Sequence, residues 1–281
     1  MRYAGFTLAV VLIGVVAAHA QQPVAGAPVA PPGAPGAAPG NRLDAHLDGW
    51  EKKMGDLTNF RFVLSLKRTN PTFPNAPKSY SGVVLCMKPN YAVLRLNYDA
   101  DKTGNEYEAF ICDGKKVYEY NGLARTITHW PLPDPKASPA GATDNLMLDF
   151  LSGMKARDAK DRFDITLYKE DEKGHYIYLD VKPKLAKDKA EFQQLRMALY
   201  GPNTKYTYLP AQVFLVKPGG DTEQWSFKEP QTNIPGLTAK DFTYQKVAGF
   251  RDEEGKPPAP QGAARPGMPK LPAGGAVRPN R

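Results

Sequence analysis

Tyr80-Ser81-Gly82-Val83-Val84-Leu85-Cys86-Met87, Lys88-Pro89-Asn90, Tyr91-Ala92-Val93-Leu94-Arg95-Leu96-Asn97-Tyr98 and, after a polar turn, Tyr107-Glu108-Ala109-Phe110-Ile111-Cys112, Asp113-Gly114-Lys115, Lys116-Val117-Tyr118-Glu119-Tyr120 decide the fold. Runs rich in β-branched and aromatic residues alternate with Pro-Asn and Asp-Gly punctuation, the signature of successive antiparallel hairpins. The Tyr80 to Met87 run is apolar on both faces, so both must be covered. Upstream, Phe60, Phe62, Leu64 and Leu66 alternate with Arg61, Val63, Ser65 and Lys67, a strand with one side turned to a core or cavity.

Further upstream, Leu43, Leu47, Trp50 and Met54 recur three and four apart and predict an amphipathic helix over 41–54, with Asn41 as cap and Asp44 three residues later. Downstream, Pro131-Leu132-Pro133-Asp134-Pro135 breaks the sheet. A short apolar helix through Leu146, Met147, Phe150 and Leu151 then follows a cap at Thr143 or Asp144 and stops at Gly153. Strands resume over Phe163 to Tyr168, His175 to Val181, Phe192 to Tyr200, Tyr206 to Val216, Thr222 to Phe227 and Phe242 to Val247. The expected class is mainly β with few helices (α+β). It is a strongly curved antiparallel sheet or unclosed barrel of about eleven strands, with an N-terminal helix and a short central lid helix on its concave face.

Composition divides the rest. Met1 to Ala20 carries Arg2, an apolar run and Ala18-His19-Ala20, which describes a cleaved signal peptide at 1–20. Residues 21–40 are an uncharged Pro/Ala/Gly linker, 41–250 the folded domain, and 251–281 a Pro-rich basic tail; neither flank has apolar surface enough to offset its ordering entropy. No cysteine lies near the cut to carry a lipid, and the apolar run is too short for a membrane span. The chain is therefore expected in the periplasm or secreted. Net charge is +8, but residues 256–281 hold five cations without an acid and Arg2 is a sixth, so residues 41–255 carry only +2. That distribution argues against a nucleic-acid-binding domain and for a tail that meets anionic membrane or simply stays solvated.

No metal-ligand spacing, nucleophile motif or phosphate-binding glycine pattern occurs, so no enzyme, cofactor or metal is expected. Cys86 and Cys112 fall two strands apart in a meander, about 9 to 10 Å at a strand spacing of ~4.8 Å, whereas a bridge needs Cα atoms within ~7 Å. This favours two free thiols over a bridge.

Three motifs in order, Lys88-Pro89-Asn90, Asp113-Gly114-Lys115 with Tyr118, and Leu179 with Lys182-Pro183-Lys184, resemble the Arg-Pro-Asn, Asp-Gly-Lys-x-x-Trp and Leu-Thr-Pro-Lys motifs of the LolA-like family of periplasmic lipoprotein and lipid carriers. The Ala156 to Phe163 region looks closer still to an uncharacterised branch of secreted planctomycete proteins. The resemblance covers roughly 43–247. It implies an unclosed barrel holding an acyl chain of a lipid or lipoprotein in an apolar cavity, as a carrier between envelope membranes. An alternative use of the fold is a scaffold or sensor that binds an envelope protein without carrying lipid. Trp50, Met54, Phe62, Leu64, Leu66, Leu94, Leu96, Leu146 and Phe150 either line that cavity or fill it by packing together. The family's latch arginine maps onto Lys88, which keeps the charge and loses the planar fork.

Overall fold

The hairpin punctuation is realised as a single twelve-stranded sheet. The computed structural model of the chain describes residues 39–132 and 154–255. Six strands, β1 (Asn59–Asn70), β2 (Phe73–Met87), β3 (Tyr91–Tyr98), β4 (Tyr107–Asp113), β5 (Lys116–Asn121) and β6 (Thr126–Pro131), follow the helix α1 (Pro39–Gly55). After residue 153 come α2 (Ala156–Arg162), β7 (Phe163–Glu170), β8 (Tyr176–Pro183), α3 (Ala186–Glu191), β9 (Gln194–Tyr200), β10 (Pro210–Val216), β11 (Thr222–Thr232) and β12 (Arg251–Glu254). The spatial order is β12-β6-β5-β4-β3-β2-β1-β11-β10-β9-β8-β7, so each half is a meander and the halves join where β1 pairs with β11. β7 and β12 do not meet; the sheet is unclosed.

Alternation along the strands sets the two faces. On β1, Phe62, Leu64 and Leu66 are buried, while Val63 and Ser65 between them are half-buried and Lys67 is exposed. Buried side chains of β1–β3 and β7–β11 join Leu47, Trp50 and Met54 of α1 in one hydrophobic cluster. Eight strands can share a core with α1 and with Ala156 and Ala159 of α2 only if the sheet curls around them, and its inner face is thereby defined. Gly82 permits the curl at β2: a Cβ there would stand 1.8 Å from the Arg95 carbonyl oxygen.

The outer face of β3–β6 is covered by the chain after β11. Phe242, at the end of a 3₁₀ turn (Ala239–Phe242), is fully buried against Tyr91, and Tyr244 stacks on Tyr118 at 4.5 Å. Val247 and Phe250 complete a second apolar cluster with Ala109, Tyr120 and Ile127. Two expectations change here. Phe242 to Val247 is a strap across the sheet, not its last strand, because its aromatic side chains bury against the outer face. The closing strand is β12, which runs parallel to β6, so the sheet is mixed and folded structure extends beyond position 250. The helix expected through Leu146 and Phe150 lies outside the described residues.

Candidate functional site

The candidate site is the space between α1 and the inner face. Leu47, Trp50 and Met54 are each 1% exposed on the apolar side of α1. The sheet meets them with Phe62, Leu64, Leu66, Leu94 and Leu96, none more than 6% exposed. Phe62 lies 5.5 Å from the Phe60 ring and 5.7 Å, edge-on, from Phe227. Seven of the nine apolar residues picked out in the sequence thus converge on one cluster, in contact with protein side chains. Leu146 and Phe150 fall outside the described residues.

The rim of α1 is polar and fastened. At its C-terminal end Lys88 Nζ donates to the carbonyl oxygens of Met54, at 2.9 Å, and Gly55, at 2.6 Å. These carbonyls have no partner further along the helix, and a cation there also meets the negative end of the helix dipole. At the other end Arg42 and His46 pair with Glu170 at the end of β7. The His46 Nε2 donates to Glu170 while Nδ1 accepts from the Tyr208 hydroxyl, and burial, followed by Arg42, favours the neutral ring. Tyr208 packs so closely on α1 that a Cβ at Gly49 would stand 2.4 Å from its ring and would displace it. Along one side, Glu51 accepts from the Ala156 amide and Lys160 pairs with Asp44, joining α1 to α2.

At the opposite end of the inner face is a charged network. Arg68 forks onto Glu108, at 2.7 and 2.9 Å, and its Nε donates to Glu223 at 3.2 Å. Glu223 also accepts from Lys217 and the Trp225 indole. Burial opposes ionisation of Glu223, but the Lys217 hydrogen bond and charge, with Arg68 and Trp225, hold its carboxyl below the usual range. Arg68, Glu223, His46 and Tyr208 are not singled out by any motif or spacing that points to a site. The signal for Arg68 was present: it continues the Phe62, Leu64, Leu66 register of β1. His46 and Tyr208 gave none, since 162 residues separate them.

Cys86 and Cys112 are both free and both stand opposite Ala92, on either side of β3. Burial, with Cys112 second, pushes the Cys86 thiol up to about 12. Among the described residues no group of three or more His, Cys, Asp or Glu is placed to hold a metal ion, and no helix is long and apolar enough to cross a membrane.

A helix roofing the inner face of an unclosed sheet, pinned at both ends by polar contacts, is the class of architecture that fold and site define. No family model matches the chain, and no curated protein does. Among solved structures it is similar to a DUF1329 family protein from Desulfovibrio piger, at 10% identity over 74% of this chain and 98% of that one, with a TM-score of 0.42. It is also similar to the LolA superfamily protein NE2245 from Nitrosomonas europaea, at 10% identity over 74% and 99% and a TM-score of 0.38. LprF from Mycobacterium bovis gives 12% identity over 72% and 97% and a TM-score of 0.37. Likeness at these scores is loose and assigns neither family nor activity.

Proposed function

We propose that the protein is a non-enzymatic binding protein of the bacterial envelope that holds an acyl chain of a lipid or lipoprotein between α1 and the inner face of the sheet. The observation that carries this reading is the construction of α1: an apolar face buried on the sheet, with polar fastenings confined to its ends and edge. A roof built in this way separates by breaking a few surface hydrogen bonds, and an incoming chain then replaces the apolar contacts at about 0.8 kcal/mol per buried CH₂. Trp50, Met54, Phe62, Leu64, Leu66, Leu94 and Leu96 would meet the chain, with Leu146 and Phe150 of the 133–153 segment proposed to complete the enclosure. Lys88 is the proposed latch. The signal peptide, the periplasmic or secreted location, delivery between membranes, an envelope protein that loads or unloads the cargo, and membrane contact through the basic tail are parts of the same proposal.

The test is mass spectrometry of lipid that co-purifies with the full chain, together with uptake of a fluorescent fatty acid. Saturable uptake that Lys88→Ala accelerates, with the circular dichroism of that variant unchanged, is the expected result. Absence of both bound lipid and uptake in the wild type would refute the reading. The ring contacts that Phe62 makes with Phe60 and Phe227 favour a second reading, a scaffold with a filled interior that binds an envelope protein. That reading predicts no uptake at all.

A further inference from the structure

The two thiols stand in an arrangement that neither acyl binding nor a disulfide uses. Cys86 on β2 and Cys112 on β4 both lie opposite Ala92 of β3, so the three side chains form a row on one face of the sheet. That face is the inner one: Cys86 follows Val84 by two positions and Ala92 precedes Leu94 by two, and both Val84 and Leu94 belong to the core. Cys112 leans over β3, since its thiol donates to the Asn90 carbonyl oxygen at 2.7 Å, and it lies within electrostatic reach of Cys86. Both thiols are free. On the strand between them the row holds only the methyl group of Ala92.

Distance separates two kinds of chemistry. A residue between two antiparallel neighbours lies about 5.5 Å from one and about 4.5 Å from the other, Cα to Cα, so Cys86 and Cys112 are about 10 Å apart along the row. A disulfide needs Cα atoms within ~7 Å. Each sulfur can lean about 2 to 3 Å from its Cα toward the other, which brings the pair to about 4 to 5 Å. Two metal–thiolate bonds of about 2.3 Å, end to end, span that gap. The row therefore takes an ion between its sulfurs where it cannot take a bond between them. Among the described residues no third His, Cys, Asp or Glu joins the pair, which fails the four-ligand demand of zinc and suits a soft monovalent ion, Cu(I), that thiolates select. Cys86 is only partly buried, which gives an ion a way in.

We propose that Cys86 and Cys112 form a two-coordinate site for a soft monovalent cation, Cu(I), on the inner face at the Lys88 end of β2. Binding breaks two S–H bonds, forms two Cu–S bonds and releases two protons to solvent. The complex keeps one negative charge, and Lys88, two positions after Cys86, supplies a cation at that end of the strand. The site does not rest on the acyl-chain reading and survives its failure.

Competition with bicinchoninate for Cu(I), on the reduced full chain without oxygen, tests it. The wild type is expected to hold one Cu(I) per chain, and Cys86→Ser and Cys112→Ser each to lower the affinity at least hundredfold. Because a serine on the inner face can disturb folding, the wild-type complex is also read alone: copper-edge X-ray absorption should show two sulfur neighbours, and equilibrium dialysis should show no retained Zn(II). Four results would overturn the proposal: the wild type yields all its Cu(I) to bicinchoninate, either serine variant binds as the wild type does, Zn(II) is held as tightly as Cu(I), or diamide joins the two thiols in an intramolecular disulfide.

Discussion

Arg68 occupies a position that the alternation of β1 gives to apolar side chains, in line with Phe62, Leu64 and Leu66. It is tolerated because each of its three nitrogens donates to a carboxylate, Nη1 and Nη2 to Glu108 in a fork and Nε to Glu223. The same network sets a pH dependence. The folded Glu223 carboxyl lies below its unfolded value of 4.5, so its contribution to stability is complete above that value and is lost as pH falls through the lower folded one. Urea unfolding should therefore show the wild type losing more stability between neutral pH and pH about 3 than Glu223→Gln does; equal losses would remove Glu223 from the acid response. Arg68→Met leaves the buried Glu223 with Lys217 and the indole alone, and a loss of about 3 kcal/mol is expected by the same measurement. Sequence alternation shows Arg68 as an anomaly on β1, but not its resolution, because Glu108 and Glu223 lie 40 and 155 residues away.

Among the elements, α1 was the most legible, since its Leu47, Trp50, Met54 spacing fixes both the helix and the face it buries. What the spacing could not fix was how the ends are held, because Lys88, Glu170 and Tyr208 come from three distant turns. Truncation of Trp50 to Ala should cost about 3 to 5 kcal/mol, as for any fully buried large aromatic. Lys88→Ala should cost only about 1 kcal/mol, since it removes two hydrogen bonds to helix-end carbonyls that water can replace. Amide hydrogen exchange separates the two effects: Lys88→Ala raises exchange at the C-terminal end of α1 and leaves β1 and β2 protected. Uniform loss of protection would mean that Lys88 supports the sheet rather than the roof. On β2, Gly82→Ala places a methyl group into the Arg95 carbonyl and should destabilise by at least about 2 kcal/mol, although alanine suits an ordinary strand better than glycine does.

At the scale of the molecule, the sequence shows a β-rich chain with hairpin order, because turn chemistry and alternation are local. It does not show that the outer face of β3–β6 is covered by the strap after β11, whose Phe242 and Tyr244 look in isolation like one more alternating strand. The distinction is tertiary: the strap follows apolar side chains of the outer face, and Arg251–Glu254 then pairs with β6. β12 is short, wholly charged and exposed, which suits a strand that shields an edge from foreign pairing. A chain ending at position 250 should therefore self-associate in size-exclusion chromatography with light scattering, whereas a monomer of unchanged stability would show that β12 shields nothing.

The claim on which the proposed function depends is that an acyl chain enters between α1 and the inner face. Isotope-filtered nuclear Overhauser spectroscopy with ¹³C-palmitate and the full chain reads this contact directly. Cross-peaks from chain methylenes to the side chains of Trp50, Phe62 and Leu96 are the expected result. Palmitate that does not bind, or that touches only outer-face residues such as Phe214, would contradict it.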